Sequence, residues 1–270
     1  MRKFLFPAVA TVCAMAFLFC RSKEHNQATK TTALGTSSGH YSKRHCAAKD
    51  AERCAVYDIS YPVFAGGDSV LTTALNRSVQ EYVLSAVGGN AELPFITALD
   101  SAYVQFVGMF EEDVINIPDM PLSYTMEIHD SISFINAAVA TIQMDGYSFT
   151  GGAHPNPFGM MVSYDLKKGG KPLEITDLVS DTNAIKPILE KAYKLSKGLK
   201  ETDPLSDLTY PEIKQMPMPG SAGVSAEGIH FFYNAYEIAP YAVGPADVLL
   251  SWEQLGVYAD KKRWTDDGGK

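Results

Sequence analysis

The densest run of chemically capable residues is Tyr147-Ser148-Phe149-Thr150-Gly151-Gly152-Ala153-His154-Pro155-Asn156. Two adjacent glycines permit positive φ or close backbone approach. Pro155 pushes the residues before it toward extended geometry. His154 is then held at a rigid corner, where a ring N–H can bond a carbonyl. Such a corner is either a structural latch or a displayed binding residue. Tyr147, Gly151, Gly152 and His154 are the binding candidates here, with Tyr236 and Tyr241 as candidates nearer the C-terminus.

The remaining chemistry-bearing residues complete no catalytic signature. Gly146 to Gly151 is one residue too long for a nucleophile elbow, and Gly223-Val224-Ser225-Ala226-Glu227 lacks the second glycine. No phosphate loop, dinucleotide fingerprint or zincin helix occurs. His129, His154 and His230 could form a three-histidine metal site only if the fold gathered them, and alternation in Tyr124 to His129 turns His129 away from Ile128. No catalytic residue, metal or cofactor is therefore assigned. An enzyme acting on cell-wall glycan would use His154, Tyr147 and Tyr236, and would need a carboxylate or metal partner that the sequence does not place. Glu111-Glu112-Asp113 is expected to end a helix, where negative charge opposes the macrodipole. It reads as a solvated helix end or as a docking patch for a basic partner.

The N-terminus addresses the chain outward. Arg2 and Lys3 precede an almost wholly apolar run, Phe4 to Phe19, which falls short of the roughly 20 residues of a comfortable membrane span. Residues 1–19 read as a signal peptide. Cys20 ends the run where a lipoprotein carries its acylated cysteine, although Phe19 is a poor residue before it. Ala14-Met15-Ala16 offers a competing cleavage site. Cleavage before Cys20 leaves two thiols, Cys46 and Cys54, which can close a short loop in an oxidising compartment. The other reading of that pair is two reduced, buried thiols. The expected location is a membrane-anchored lipoprotein facing periplasm or cell exterior, touching the membrane through its lipid alone.

Hydrophobic periodicity supplies the elements that must position the candidates. Residues 20–45 are polar, lack periodicity and read as a flexible tether. A β-rich run from Val56 to Val63 leads through Gly66-Gly67 to a helix capped by Asp68 or Ser69, with Leu71, Leu75, Val79, Tyr82 and Val83 on its apolar face. Gly88-Gly89 stops it. A second helix after Pro94 shows Ile96, Leu99, Tyr103, Phe106, Val107 and Phe110 on one side. From Ser123 the period changes to two, with Asp145-Gly146 as a hairpin signal. Strands follow, then a helix over Asp181 to Leu199 with Ile185, Ile188, Leu189, Ala192 and Leu195 inward, a loop to Ala222, and strands over Ile229 to Ile238 and Ala246 to Trp252. The class expected is α+β, antiparallel sheets with helices packed on them, in two subdomains meeting near Gly151-Gly152. The boundaries are 46–152 and 153–262, with a frayed tail at 263–270.

Several of these motifs resemble one family. Tyr147 to Asn156, Ser163 to Leu178 (SYDLKKGGKPLEITDL), Tyr236 to Gly244 (YEIAPYAVG) and Val248 to Trp252 are similar to the extracytoplasmic part of RsiV-like proteins. Ile59 to Phe64 (ISYPVF) and the helix near Asn76 resemble the companion domain of the PdaC peptidoglycan deacetylase. The resemblance spans about Cys54 to Tyr258 and implies an extracytoplasmic α+β module, which in RsiV serves as a receptor for lysozyme. The anti-sigma and deacetylase roles need segments that are not recognised here and are not carried over.

Charge fits that implication. Lys and Arg number 23 against 31 Asp and Glu, a net −8, and losing Arg2 and Lys3 with the signal makes it −10. Such a body does not seek nucleic acid, and it suits a basic protein. The function expected is non-enzymatic binding at the cell envelope, with lysozyme or another basic protein as partner. A glycan-active or glycan-binding accessory protein acting on peptidoglycan is the alternative.

Overall fold

The strands gather into one mixed sheet whose order is set by the helices that cross over it. The computed structural model describes residues 33–48, 50–117 and 123–265. The proposed signal peptide, Cys20, His25 and the first part of the tether lie outside the described residues. The strands are β1 (Gly35–Ala47), β2 (Asp50–Ala65), β3 (Tyr124–Ile135), β4 (Val139–Phe149), β5 (Asn156–Asp165), β6 (Lys171–Pro172), β7 (Ser221–Val224), β8 (Gly228–Tyr233) and β9 (Ala246–Ser251). The helices are α1 (Ser69–Val87), α2 (Phe95–Asn116), α3 (Ile175–Leu178), α4 (Thr182–Ser196), α5 (Trp252–Leu255) and α6 (Lys261–Thr265). The sheet runs β1-β2-β3-β4-β5-β7-β8-β9, with β6 paired to the end of β5.

The class is α+β, but the sheet is not purely antiparallel. β2 pairs β3 and β5 pairs β7 in parallel. Parallel neighbours need a long crossover, and both are supplied by helices: α1 with α2 between β2 and β3, and α3 with α4 between β5 and β7. Local chemistry sets the helix ends. The Asp68 carboxylate accepts from Val70 N at 2.8 Å, and Gly88 turns left-handed at φ 69° to stop α1. Asp181 caps α4 through Asn183 N and Ala184 N. Ser251 and Gln254 form a capping box on α5. None of these helices is long and apolar enough to cross a membrane.

Two cores lie on opposite faces. Ala140, Ile142 and Met144 of β4 join α1 and α2 in one core, whereas Val139 joins α4, β8 and β9 in the other. Alternation along a single strand thus feeds both.

Where β5 meets β7 only one backbone pair, Val162 with Ala222, spans the junction. Side chains complete it. The Thr141 hydroxyl donates to Val224 O at 2.7 Å, and Ser163 Oγ accepts from Val224 N at 2.8 Å. Ser221 Oγ accepts from Met161 N and donates to Met161 O. The Asn234 amide takes Gly159 N at 2.8 Å and gives to Gly159 O at 3.0 Å. Each side chain does what a neighbouring strand's peptide would do, so this part of β5 is not left as an open edge.

Several expectations need correction. The tether does not extend to residue 45, because Gly35–Ala47 forms β1 along the length of β2. It lies at the sheet edge, so its strand character comes from its partner and its sequence stays polar. His40 and His45 therefore sit on a strand, bonded to Asp58 and Glu111. Residues from 263 are not all frayed tail: α6 buries Trp264 in the second core, and the Asn136 amide donates to Trp264 O at 2.7 Å. Asp145-Gly146 is not a turn. β4 runs straight through it, and Gly146 lies against the Phe158 ring where a side chain would clash. The β3–β4 turn is at Asn136, whose carboxamide oxygen accepts from Ala138 N and Val139 N. Glu111-Glu112-Asp113 does not end α2, which continues to Asn116, and Asp113 accepts from the Tyr124 hydroxyl at 2.5 Å. Ile96 and Leu195 face outward.

Candidate functional site

Gly151 and Gly152 occupy the connection between β4 and β5, both at positive φ, 90° and 99°. Ser148 pairs with Asn156 across the hairpin, so the glycines turn the chain and bring His154 out beside the second half of the molecule. There His154 stacks on Tyr241, ring centroids 3.8 Å apart and planes 13° off parallel. Its Nε2 lies 3.1 Å from the Tyr236 hydroxyl, and its Nδ1 lies 3.2 Å from Pro155 O. A carbonyl can only accept, so in the neutral ring Nδ1 carries the proton and the Tyr236 hydroxyl donates to Nε2. The two tyrosine rings lie 5.6 Å apart.

The elements under these rings are well fixed. Tyr236 sits in a four-residue turn closed by Glu237 N to Asn234 O, with the Glu237 carboxylate accepting from Asn234 N at 2.8 Å and from Gly220 N at 3.2 Å. Its φ of 66° makes it the one non-glycine at positive φ among the described residues. That conformation costs a bulky L-residue about 1–2 kcal/mol. Tyr241 opens a single 3₁₀ turn ending at Val243, and the carbonyls of Val243 and Pro245 both accept from Lys197 Nζ at 2.9 Å. Burial there lowers the Lys197 pKa. Despite this scaffolding His154 is exposed, and Tyr236 keeps 50% of its surface in solvent.

Of the six sequence candidates, His154, Tyr236 and Tyr241 are thus brought together, with Gly151 and Gly152 shaping the approach. Tyr147 is exposed on β4, opposite Glu127 and Pro157, and makes no ring contact with the trio among the described residues. The other body histidines lie elsewhere: His129 beside Ser60, His230 on Asp247 at 2.8 Å. No group of three potential metal ligands occurs among the described residues. Cys46 and Cys54 are joined by a disulfide across the β1–β2 pair. Sequence reasoning passed over Asp130, which stands on the apolar face of β3. Burial, with Asp145 nearby, pushes its carboxyl up to about 7. The signal was present: alternation from Tyr124, Met126 and Ile128 puts Asp130 on the same face.

Comparison with known proteins now bears on the two halves. Residues 48–157 match the family model described as deacetylase PdaC, and residues 176–253 match that of a protein of unknown function, DUF3298. Two parts of the chain are thus similar to two different families. Among solved structures, a DUF3298 family member from Bacteroides fragilis is 20% identical with a TM-score of 0.71, covering 89% of this chain and 99% of that one. A DUF3298 family protein from Pseudomonas aeruginosa is 18% identical with a TM-score of 0.60, covering 85% and 97%. At such identities the likeness is one of fold. A search of curated proteins finds no match. His154 lies in the part that is similar to PdaC, and Tyr236 and Tyr241 in the part that is similar to DUF3298, so the ring cluster is assembled from both.

Proposed function

We propose that this chain is an exported, lipid-anchored binding protein of the cell envelope whose aromatic corner docks a protein partner, lysozyme first among them. One observation carries the reading: residues from both segments converge in a single ring cluster, exposed at His154 and Tyr236, that is already stacked and hydrogen-bonded. Aromatic rings offer a large contact area with few torsions to freeze, so a pre-ordered, exposed set is suited to binding. The strained backbone at Tyr236 supports the same reading, since strain of this kind gathers at functional positions. The chain's charge of −8 favours approach of a basic protein such as lysozyme, and the resemblance to RsiV-like receptors motivates that choice. No carboxylate is bonded to His154 among the described residues, so the observations favour docking over acid–base chemistry.

The test is alanine substitution of His154, Tyr236 and Tyr241 one at a time, with affinity for lysozyme measured by calorimetry. Each is expected to weaken binding by about tenfold or more. Unchanged affinity in all three would remove the aromatic corner from the account. Binding of peptidoglycan fragments, and not of lysozyme, with the same sensitivity would transfer the corner to a glycan ligand.

A further inference from the structure

Helix α1 covers the first core incompletely. Between its last turns, at Tyr82, Ser85 and Ala86, and the junction residues Gly220 and Ser221 runs a groove floored by Met160 of β5. It has two lobes of about 300 Å³ each, which share Tyr82, Met160, Gly220 and Ser221. A narrow pocket opens from the groove at Tyr82, Met144 and Met160, and Asp130 stands in it among Ile142, Val162 and Tyr164. The pocket leaves about 10 Å³ for the centre of a water-sized group.

Two features of this space point to a ligand. The first is Asp130 Oδ1, which is closed off from solvent and receives no hydrogen bond from any group among the described residues. A buried carboxylate oxygen without a donor is costly, and any group that brings one is favoured there. The second is charge. Groove and pocket are lined by the carboxyls of Asp130, Glu174 and Glu237 and by no Lys, Arg or His. The ionisable groups beside Asp130 are Asp145 of β4, whose charge acts on it, and Tyr164 of β5 and Tyr82 of α1, which line the same pocket; none of them is cationic at neutral pH.

A donor reaching this carboxyl from the groove, past the flexible Met144 and Met160 side chains, is favoured when it is positive and has one heavy atom at its tip. An ammonium group meets both conditions; a planar guanidinium with three nitrogens exceeds the space. Behind the tip the wall is thioether and ring, Met144, Met160 and Tyr82, which adapts to an unbranched alkyl stem. We propose that this groove binds a primary alkylamine, its ammonium seated on Asp130 and its stem along Met144, Met160 and Tyr82. The site contains none of His154, Tyr236 or Tyr241 and stands independently of the lysozyme reading.

The pH dependence follows. An ammonium of ordinary pKa, about 10.4, stays charged throughout. Asp130, held near 7, is protonated in mild acid and ionised in mild base. Binding should strengthen as pH rises through neutrality.

The probe is n-butylammonium chloride, titrated into the purified protein at about pH 8 and about pH 5.5, with n-butanol as the neutral control. Carbon-13 NMR of the Asp carboxyl carbons follows Asp130 directly. The expected result is saturable binding at the higher pH, about tenfold weaker or worse at the lower pH and in Asp130→Asn, with the Asp130 titration moved about one pH unit lower in the complex. Met160→Trp, which fills the groove and leaves Asp130 in place, should also abolish binding. Circular dichroism of each variant separates lost binding from lost fold, and the carboxyl titration of the unsubstituted protein decides the matter should Asp130→Asn not fold. Equal binding of n-butanol, undiminished binding by folded Asp130→Asn, or an Asp130 titration that saturating amine leaves unmoved would each overturn the proposal.

Discussion

At Tyr236 backbone and side chain make opposite demands. A left-handed residue is best as glycine, yet this position carries a ring bonded to His154. Removing the ring by Tyr236→Ala keeps the backbone penalty, whereas Tyr236→Gly relieves it. Tyr236→Gly is therefore expected to be more stable than Tyr236→Ala by about 1 kcal/mol in urea denaturation, with both equally defective in partner binding. Asp130 predicts a different signature. Its unfolded-state carboxyl titrates near 3.8 and its native one near 7. Across that interval the native state holds a proton that the unfolded state has lost, so stability falls as pH rises from about 4 to about 7 and stays lower above. The full loss is about 4 kcal/mol, and Asp130→Asn should flatten the profile when unfolding free energies are measured from pH 4 to 8. His154 could be read from the sequence as a residue at a rigid corner, because Gly151-Gly152 and Pro155 constrain the chain locally. Its stacking on Tyr241 could not, since 87 positions separate them and only the tertiary fold joins the two loops.

Elements with their own apolar period were legible, and those that borrow their structure from a partner were not. Leu75, Val79 and Val83 mark α1, and Ile185 and Leu189 mark α4, each at helical spacing and each buried. β1 has only Tyr41 buried and forms by pairing with β2, which no local pattern announces. α6 is five residues long and mostly polar, and Trp264 is its one buried side chain. The β5–β7 junction was hidden for the same reason: Thr141, Ser163, Ser221 and Asn234 read as ordinary polar residues until their backbone partners are seen. Ser163→Ala tests their role. It leaves the buried Val224 N–H without its acceptor, which is expected to cost about 1–3 kcal/mol, read as a lower urea midpoint at unchanged slope. A loss comparable to that of an exposed serine would mean that the junction is held by packing alone.

For the whole molecule, the PdaC-type and DUF3298 segments share one sheet, and the aromatic corner draws on both. The α+β class followed from the switch in period and the helix caps, whereas the two parallel pairings depend on which strand each crossover returns beside, a choice that no single segment encodes. A binding protein of this charge acting on a basic partner carries a salt signature, because steering between exposed charges weakens as the Debye length shrinks from about 10 Å at 0.1 M to about 3 Å at 1 M. The most direct measurement is therefore calorimetric titration of the purified protein with lysozyme at low and high salt. Saturable binding that weakens with salt, and that His154→Ala weakens by about tenfold or more, is the result expected. Absence of binding at both salt concentrations would contradict the proposed function and leave the fold and its ring cluster without lysozyme as their partner.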